Sequence, residues 1–278
     1  HARIDAYLTT RSGRETSDTM SFSSDTAVTH HGDLFDAFIH EGWDVGGNAN
    51  GGYLMAIAAR AMAAVSRPHP VALSAHFLAP GRTGAVVCEP AVVKTGKRFS
   101  TVRCSLRTAE RPLVELLGSF AELGEVEGPV RVDATPPELP DPDDCVSFNP
   151  AAGSPSLMER FDLRLHPEDA GFASGRPSGR PLFRGWLRFR DEPIDAFGLI
   201  LAADAFPPTI FNANLPIAWT PTLELTAHVR GLPTPGWLRC RFSTRFITGG
   251  MLEEDGELWD ETGRLVAQSR QLALTPRG

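Results

Sequence analysis

A chain of 278 residues is too long for one small module and is expected to hold two domains of ordinary size or one duplicated unit. Hydrophobic residues make up 42%, and with the 26 glycines about half of the chain is apolar, a globular composition that excludes a disordered or collagen-like polymer. With 27 Lys+Arg against 34 Asp+Glu the net charge is −7, so a broad basic face for nucleic acid or anionic lipid is not expected, whereas a local basic pocket is compatible with that balance.

Residues 1–20 open on His1 rather than Met and lack the apolar core of a signal peptide; they read as a loose tail or an expression remnant, with Met20 the expected native start. The first periodic pattern predicts a helix over 50–65. Its most apolar stretch, 53–65, is interrupted by Arg60 and falls short of the roughly 20 residues needed to cross a bilayer, so no membrane segment is expected. Runs rich in Val, Leu, Phe and Thr predict strands over 71–78, 85–95, 99–107 and 113–123. From 124 to 155 the composition changes to that of a linker, with Pro129, Pro136, Pro137, Pro140, Pro142, Pro150 and Pro155 among acids and small residues. An apolar run over 194–206 then predicts a second helix, and 222–229, 237–247, 257–259 and 264–274 predict strands. The chain thus divides into an N-terminal unit over 21–123, a proline-rich linker over 124–157 and a C-terminal unit over 158–278.

Cys88, Cys104, Cys145 and Cys240 form no Cys-x-x-Cys pair, which argues against a zinc cluster or a disulfide framework and for reduced thiols in a cytoplasmic protein.

The order of elements repeats, and a duplicated unit should keep a constant spacing between matching residues. Leu73-Ser74-Ala75-His76 matches Leu225-Thr226-Ala227-His228, Leu113-Val114 matches Leu265-Val266, and Cys88 matches Cys240, each 152 residues apart. Shared strand composition is the competing account of these short matches. Each half reads as a central helix plus a meander of long strands, an α+β unit whose antiparallel sheet must wrap the apolar helix to bury it. Two such units joined edge to edge or helix to helix make a pseudo-dimer within one chain.

The same spacing shows where the halves differ. Asp204 replaces Gly52, Thr222 replaces Pro70 and Gln271 replaces Ser119. An aspartate in an apolar run bears a desolvation cost unless paired or used, and burial raises its pKa towards that of a general base. Each residue alone also has an ordinary reading: Asp204 as a helix cap before Pro207-Pro208, Thr222 as a β-branched strand former, Gln271 as a solvent-facing side chain.

Together with their surroundings these residues resemble the type II acyl-CoA thioesterases, the TesB-like double-hotdog family. The resemblance runs through Asn50-Gly51-Gly52-Tyr53-Leu54 and His76-Phe77-Leu78-Ala79-Pro80-Gly81 in the first half. In the second it runs through Leu201-Ala202-Ala203-Asp204, Pro221-Thr222-Leu223-Glu224 and Leu265-Val266-Ala267-Gln268-Ser269-Arg270-Gln271. It implies a double hotdog, two antiparallel sheets each wrapped around a central helix. It also implies an acyl-CoA thioesterase that hydrolyses a fatty acyl-CoA or related thioester without metal or organic cofactor. The family's catalytic Asp, Thr and Gln fall on Asp204, Thr222 and Gln271, and further association into a homo-oligomer is compatible with family precedent and exposed sheet edges. The proline-rich connection is longer than the family pattern leads one to expect.

Thioester hydrolysis needs an activated, aligned water and donors for the oxyanion. Asp204 would accept the water's proton, the Thr222 hydroxyl and the Gln271 amide would position the water, and the helix-opening amides of Gly51 and Gly52 would face the oxyanion. The alternative use of the two glycines is close packing of helix on sheet. No Gly-x-Ser-x-Gly elbow or phosphate loop is present, and His30-His31 lacks further ligands at a metal-like spacing. His76 and His228 recur in both halves and read as structural. Lys97, Arg98, Arg103 and Arg107 fit either the coenzyme A phosphates or a solvated strand face, and Trp219 lies near enough to Thr222 in sequence to line a pocket. A non-catalytic acyl-CoA binding protein or sensor on the same fold is the alternative function. A hotdog hydratase fits less well, since no histidine lies near Asp204 in sequence.

Overall fold

A computed structural model describes residues 21–125, 128–148 and 155–276; the expected tail over 1–20 lies outside them. The first half holds the short helix α1 (Phe22–Asp25), strands β1 (Thr29–His31), β2 (Leu34–Ile39), β3 (Asp44–Val45) and β4 (Asn48–Ala49), and helix α2 (Gly51–Ala64). Strands β5 (His69–Phe77), β6 (Gly84–Thr95), β7 (Ser100–Arg107) and β8 (Pro112–Ala121) follow. The second half holds β9 (Val146–Ser147), β10 (Phe161–Leu165), β11 (Leu182–Phe189), helix α3 (Gly198–Ala202), β12 (Thr222–Val229), β13 (Leu238–Ser243), β14 (Ile247–Thr248), β15 (Met251–Trp259) and β16 (Leu265–Leu274).

Helix α2 starts where Asn50 supplies a cap and its Oδ1 accepts from the Tyr53 amide at 2.9 Å. Tyr53, Leu54, Met55, Ile57 and Met62 are all but inaccessible, so apart from Arg60, which pairs with Asp195, this helix is apolar all round and must be wrapped by sheet. The first half supplies β1-β2-β6-β7-β8-β5 and the second β12-β16-β15-β13-β11-β10-β9, in one antiparallel sheet with β14 beside β15. Each half curls around its own helix, and α3 packs against α2 between them. This is the double-hotdog arrangement, with the two halves joined edge to edge through β5 and β12.

At that seam Thr226 pairs with Ser74, its counterpart 152 residues earlier, and the Thr226 hydroxyl donates to Ser74 Oγ at 3.0 Å. A residue opposite its own counterpart marks an approximate two-fold axis through the seam. Both matching histidines, His76 and His228, point outward on these strands and are exposed.

Several elements differ from the sequence reading. The helix expected over 194–206 is only Gly198–Ala202. Asp195 Oδ1 accepts from the Gly198 amide at 2.6 Å and starts the helix late, and the Pro207-Pro208 pair lies four residues beyond its C-cap at Ala203. The three-residue strand expected over 257–259 extends back to Met251. Within 124–157, Pro140 accepts a hydrogen bond from Trp186 Nε1 at 2.9 Å and β9 pairs with β10, so parts of this segment lie against the second half.

Candidate active site

The start of α2 is the first component of the site. Asn50 Nδ2 donates to Asp204 Oδ2 at 2.9 Å and to the Asp204 carbonyl at 2.8 Å, and the Gly52 amide donates to Asp204 Oδ2 at 2.9 Å. Asp204 follows α3 in a turn closed by its own amide on the Leu201 carbonyl at 2.9 Å. Two glycines permit this approach: a Cβ at Gly51 would lie 2.8 Å from Phe77 Cζ and 2.9 Å from Asp204 Oδ2, and one at Gly52 would lie 2.8 Å from the Ile200 carbonyl.

The carboxylate therefore faces the positive end of a 14-residue helix and takes up amides left without intrahelical partners. Burial nevertheless dominates: it pushes the Asp204 pKa up to about 6, against the opposing bonds from Gly52, Asn50 and Gly51. The Gly52 amide, expected to be free for an oxyanion, is thus engaged by the carboxylate. Asp204 does cap a helix, but the helix is α2 of the other half.

Thr222 and Gln271 form the second component. A bulge between Thr222 and Glu224 reorients the head of β12, and the Thr222 hydroxyl donates to Gln271 Oε1 on β16 at 3.0 Å. Gln271 Nε2 in turn donates to Glu254 Oε1 at 3.0 Å, directly across from it on β15. Glu254 is buried and its Oε2 accepts from the Thr209 amide at 2.7 Å. Burial pushes Glu254 up to about 7, opposed by the bonds from Thr209 and Gln271 and reinforced by the charge of Asp204. The structure so brings Thr222 to Gln271 and Asp204 to Gly52. The charge of Asp204, which raises the pKa of Glu254, links the two clusters electrostatically, and among the described residues no hydrogen bond joins Asp204 to Thr222 or Gln271.

Sequence reasoning missed Glu254 and the role of the Asn50 side chain. The 152-residue spacing holds the signal for the first, since it sets Glu254 against Val102, a fully buried core residue of β7. Trp219 is exposed in the loop before β12; Lys97, Arg98 and Arg103 are exposed at and beside β7, and Arg107 lies 3.9 Å from Glu89. His166, Glu168 and Asp169 group within 4.8 Å, but the carboxylates are held by guanidinium groups, with Arg184 at 2.9 Å from Asp169 and 3.0 Å from Glu168. That cluster is an ion-pair network in which arginines supply the positive charge.

The sequence pattern of the acyl-CoA thioesterase N-terminal domain matches residues 39–121, and that of the acyl-CoA thioesterase C-terminal domain matches residues 135–275. The chain belongs to the acyl-CoA thioesterase family. Among solved structures, this thioesterase-family chain is similar to a candidate thioesterase II from Thermobifida fusca, with 32% identity, a TM-score of 0.84, and 92% of this chain and 97% of that one covered. It shares the fold of acyl-CoA thioesterase II TesB2 from Mycobacterium marinum, at 18% identity and a TM-score of 0.72 over 93% of this chain and 99% of that one. An uncharacterized protein of Mycobacterium tuberculosis is 31% identical over 268 residues, 87% of this chain and 91% of the relative. These similarities place the TesB-like double hotdog on both sequence and structural grounds. No helix among the described residues is long and apolar enough to cross a membrane.

Proposed function

We propose that this protein hydrolyses a fatty acyl-CoA, or a related acyl thioester, to the free acid and CoA by Asp204-assisted attack of water. The observation that supports this reading most is a half-buried carboxylate held at a helix N-terminus, its charge felt by the Glu254 that holds the Thr–Gln pair, within a family of thioesterases. Asp204 accepts a proton as the water oxygen bonds to the thioester carbon. The carbonyl becomes an oxyanion, the tetrahedral species collapses to the acid with cleavage of the C–S bond, and the leaving CoA thiolate takes the proton held on Asp204, which restores the base.

A pKa raised to about 6 leaves Asp204 ionised near neutral pH yet more basic than an ordinary aspartate. The α2 amides stabilise its charge before attack. Once Asp204 has taken the proton, its demand on Gly51 and Gly52 falls just as negative charge develops on the substrate oxygen, which gives these amides their oxyanion role. The Thr222 hydroxyl and the Gln271 amide hold the water.

The test is thiol release from a panel of short to long acyl-CoAs, read with a chromogenic disulfide, for wild type and Asp204→Asn. Turnover by wild type and its loss in the variant is the expected result. A wild type that releases no thiol from any member but melts at a higher temperature with one of them would replace hydrolysis with binding.

A further inference from the structure

We propose that Glu254 is a positioning residue that fixes the orientation of the Gln271 side-chain amide and, through it, the direction in which the Thr222 hydroxyl donates. The inference rests on the thioesterase reading and adds to it a residue that neither the family motif nor the Asp–Thr–Gln set contains.

Glu254 is 5% exposed and stands on the inward face of β15, where the matching residue of the first half is Val102, at 0%. A carboxylate in a core position that its counterpart fills with valine is costly unless its oxygens are satisfied. Here both are. Oε2 accepts from the Thr209 amide at 2.7 Å and Oε1 from Gln271 Nε2 at 3.0 Å. The Thr209 side is supported in turn, since Thr209 Oγ1 and Thr244 Oγ1 share a 2.6 Å bond and the Thr244 hydroxyl donates to the Glu253 carbonyl at 2.6 Å.

Above about pH 7, where Glu254 is ionised, its carboxylate accepts hydrogen bonds and donates none, so it selects the amide nitrogen of Gln271 and turns Oε1 towards Thr222, the arrangement present in the structure. Thr222 must then donate its only hydroxyl proton to Oε1, at 3.0 Å, and its lone pairs are left to accept. A water held there can give one hydrogen to Asp204 and the other to Thr222. The second N–H of Gln271 can occupy one of the water's lone pairs, and the remaining pair is free for the thioester carbon. With the Gln271 amide reversed, Thr222 becomes a donor to the water and competes for the lone pair that must attack. Glu254 thus sets the hydrogen-bond polarity of the water site without touching substrate.

Glu254→Gln preserves shape but removes the selectivity, because a neutral amide can face Gln271 with either end. At pH 8, where Glu254 is mostly ionised, the expected result is a fall in kcat of about 10-fold or more with KM within about 2-fold, a melting temperature near that of wild type, and little further loss when the change is made in a Gln271→Ala background. An unchanged kcat, or an equal loss with and without Gln271, would overturn the proposal while wild-type turnover left the thioesterase reading intact; a wild type without turnover would remove that reading first. If Glu254→Gln does not fold, Glu254→Val, which copies the first half, carries the same cycle. Failure of both to fold assigns Glu254 to stability alone and overturns the positioning role.

Discussion

Asp204 accepts a 2.9 Å hydrogen bond from the backbone amide of Gly52, the residue 152 positions earlier that holds Asp204's own place in the first half. Like the Ser74–Thr226 pair at the seam, it is a contact between counterparts and lies close to the axis relating the two halves. That position explains why the duplication is not symmetric in chemistry. An aspartate at both places would set two carboxylates against each other at one helix start, and one would have to stay protonated. Glycine at 52 leaves a single carboxylate with an amide donor in the place where its rival would stand.

Gly52→Ala tests the closeness of that contact. The position is helical, so alanine alone would favour the helix by about 1 kcal/mol. A Cβ there would lie 2.8 Å from the Ile200 carbonyl and 2.9 Å from Leu201 Cα, both backbone atoms that cannot rotate away. The clash is expected to win, costing about 1–3 kcal/mol. Thermal melting should fall by several degrees and thiol release should fall with it as α3 carries Asp204 off the amide; a variant melting above wild type would contradict this account.

Asp204 also predicts the pH behaviour. With its pKa pushed up to about 6, kcat/KM should fall with acid below about that pH, towards tenfold per unit. Between the ordinary carboxylate range and about 6 the folded protein keeps a proton that the unfolded chain releases. The group therefore contributes stability below that range and loses it as pH rises through about 6. Asp204→Asn should accordingly melt a few degrees above wild type at pH 8, while being inactive, and the gap should shrink to about half by pH 5 and close only near about pH 4, in the ordinary carboxylate range. A gap of constant size across that range would mean that the charge of Asp204 is not the source of the cost.

The helix at 51–64 was legible because Asn50 caps a long apolar run, and Asp204, Thr222 and Gln271 because each breaks the likeness between the halves. The strand Met251–Trp259 was mostly hidden, because Glu253, Asp255 and Glu257 alternate outward with inward Leu252, Glu254, Gly256 and Leu258. With a carboxylate and a glycine at two inward positions the alternation no longer reads as apolar against polar. Neighbouring arginines make the outward acids tolerable, as in Arg270 Nε to Asp255 Oδ1 at 2.6 Å, but that pairing depends on strand register and cannot be seen before folding. The short β9 and β10, Val146–Ser147 and Phe161–Leu165, lie beside prolines that pointed to linker composition.

Thr222→Val and Gln271→Ala are both expected to reduce kcat, yet they should separate in stability. Removing the half-buried Thr222 hydroxyl takes away one donor to Gln271 and should cost under about 1 kcal/mol. Removing the Gln271 amide leaves Glu254 Oε1 without its donor inside the core, a loss of about 1–3 kcal/mol. Chemical denaturation of the two variants beside wild type reads this difference directly. Equal destabilisation would argue that Glu254 finds another donor when Gln271 is shortened.

Asn50→Asp separates the capping role of Asn50 from its role towards Asp204. Aspartate caps a helix about as well as asparagine, so the Tyr53 amide keeps its acceptor and the start of α2 is retained. What changes is the other end of the side chain, where an Nδ2 donor 2.9 Å from Asp204 Oδ2 is replaced by an oxygen that accepts only. A second carboxylate at that distance disfavours ionisation of Asp204, which loses a donor and gains a like charge. The acid limb of the pH–rate profile should therefore move upward by about one unit or more, with maximal activity recovered at higher pH. An acid limb that stays near pH 6 would show that Asn50 serves the helix alone and that Asp204 is tuned by burial and the α2 amides without it.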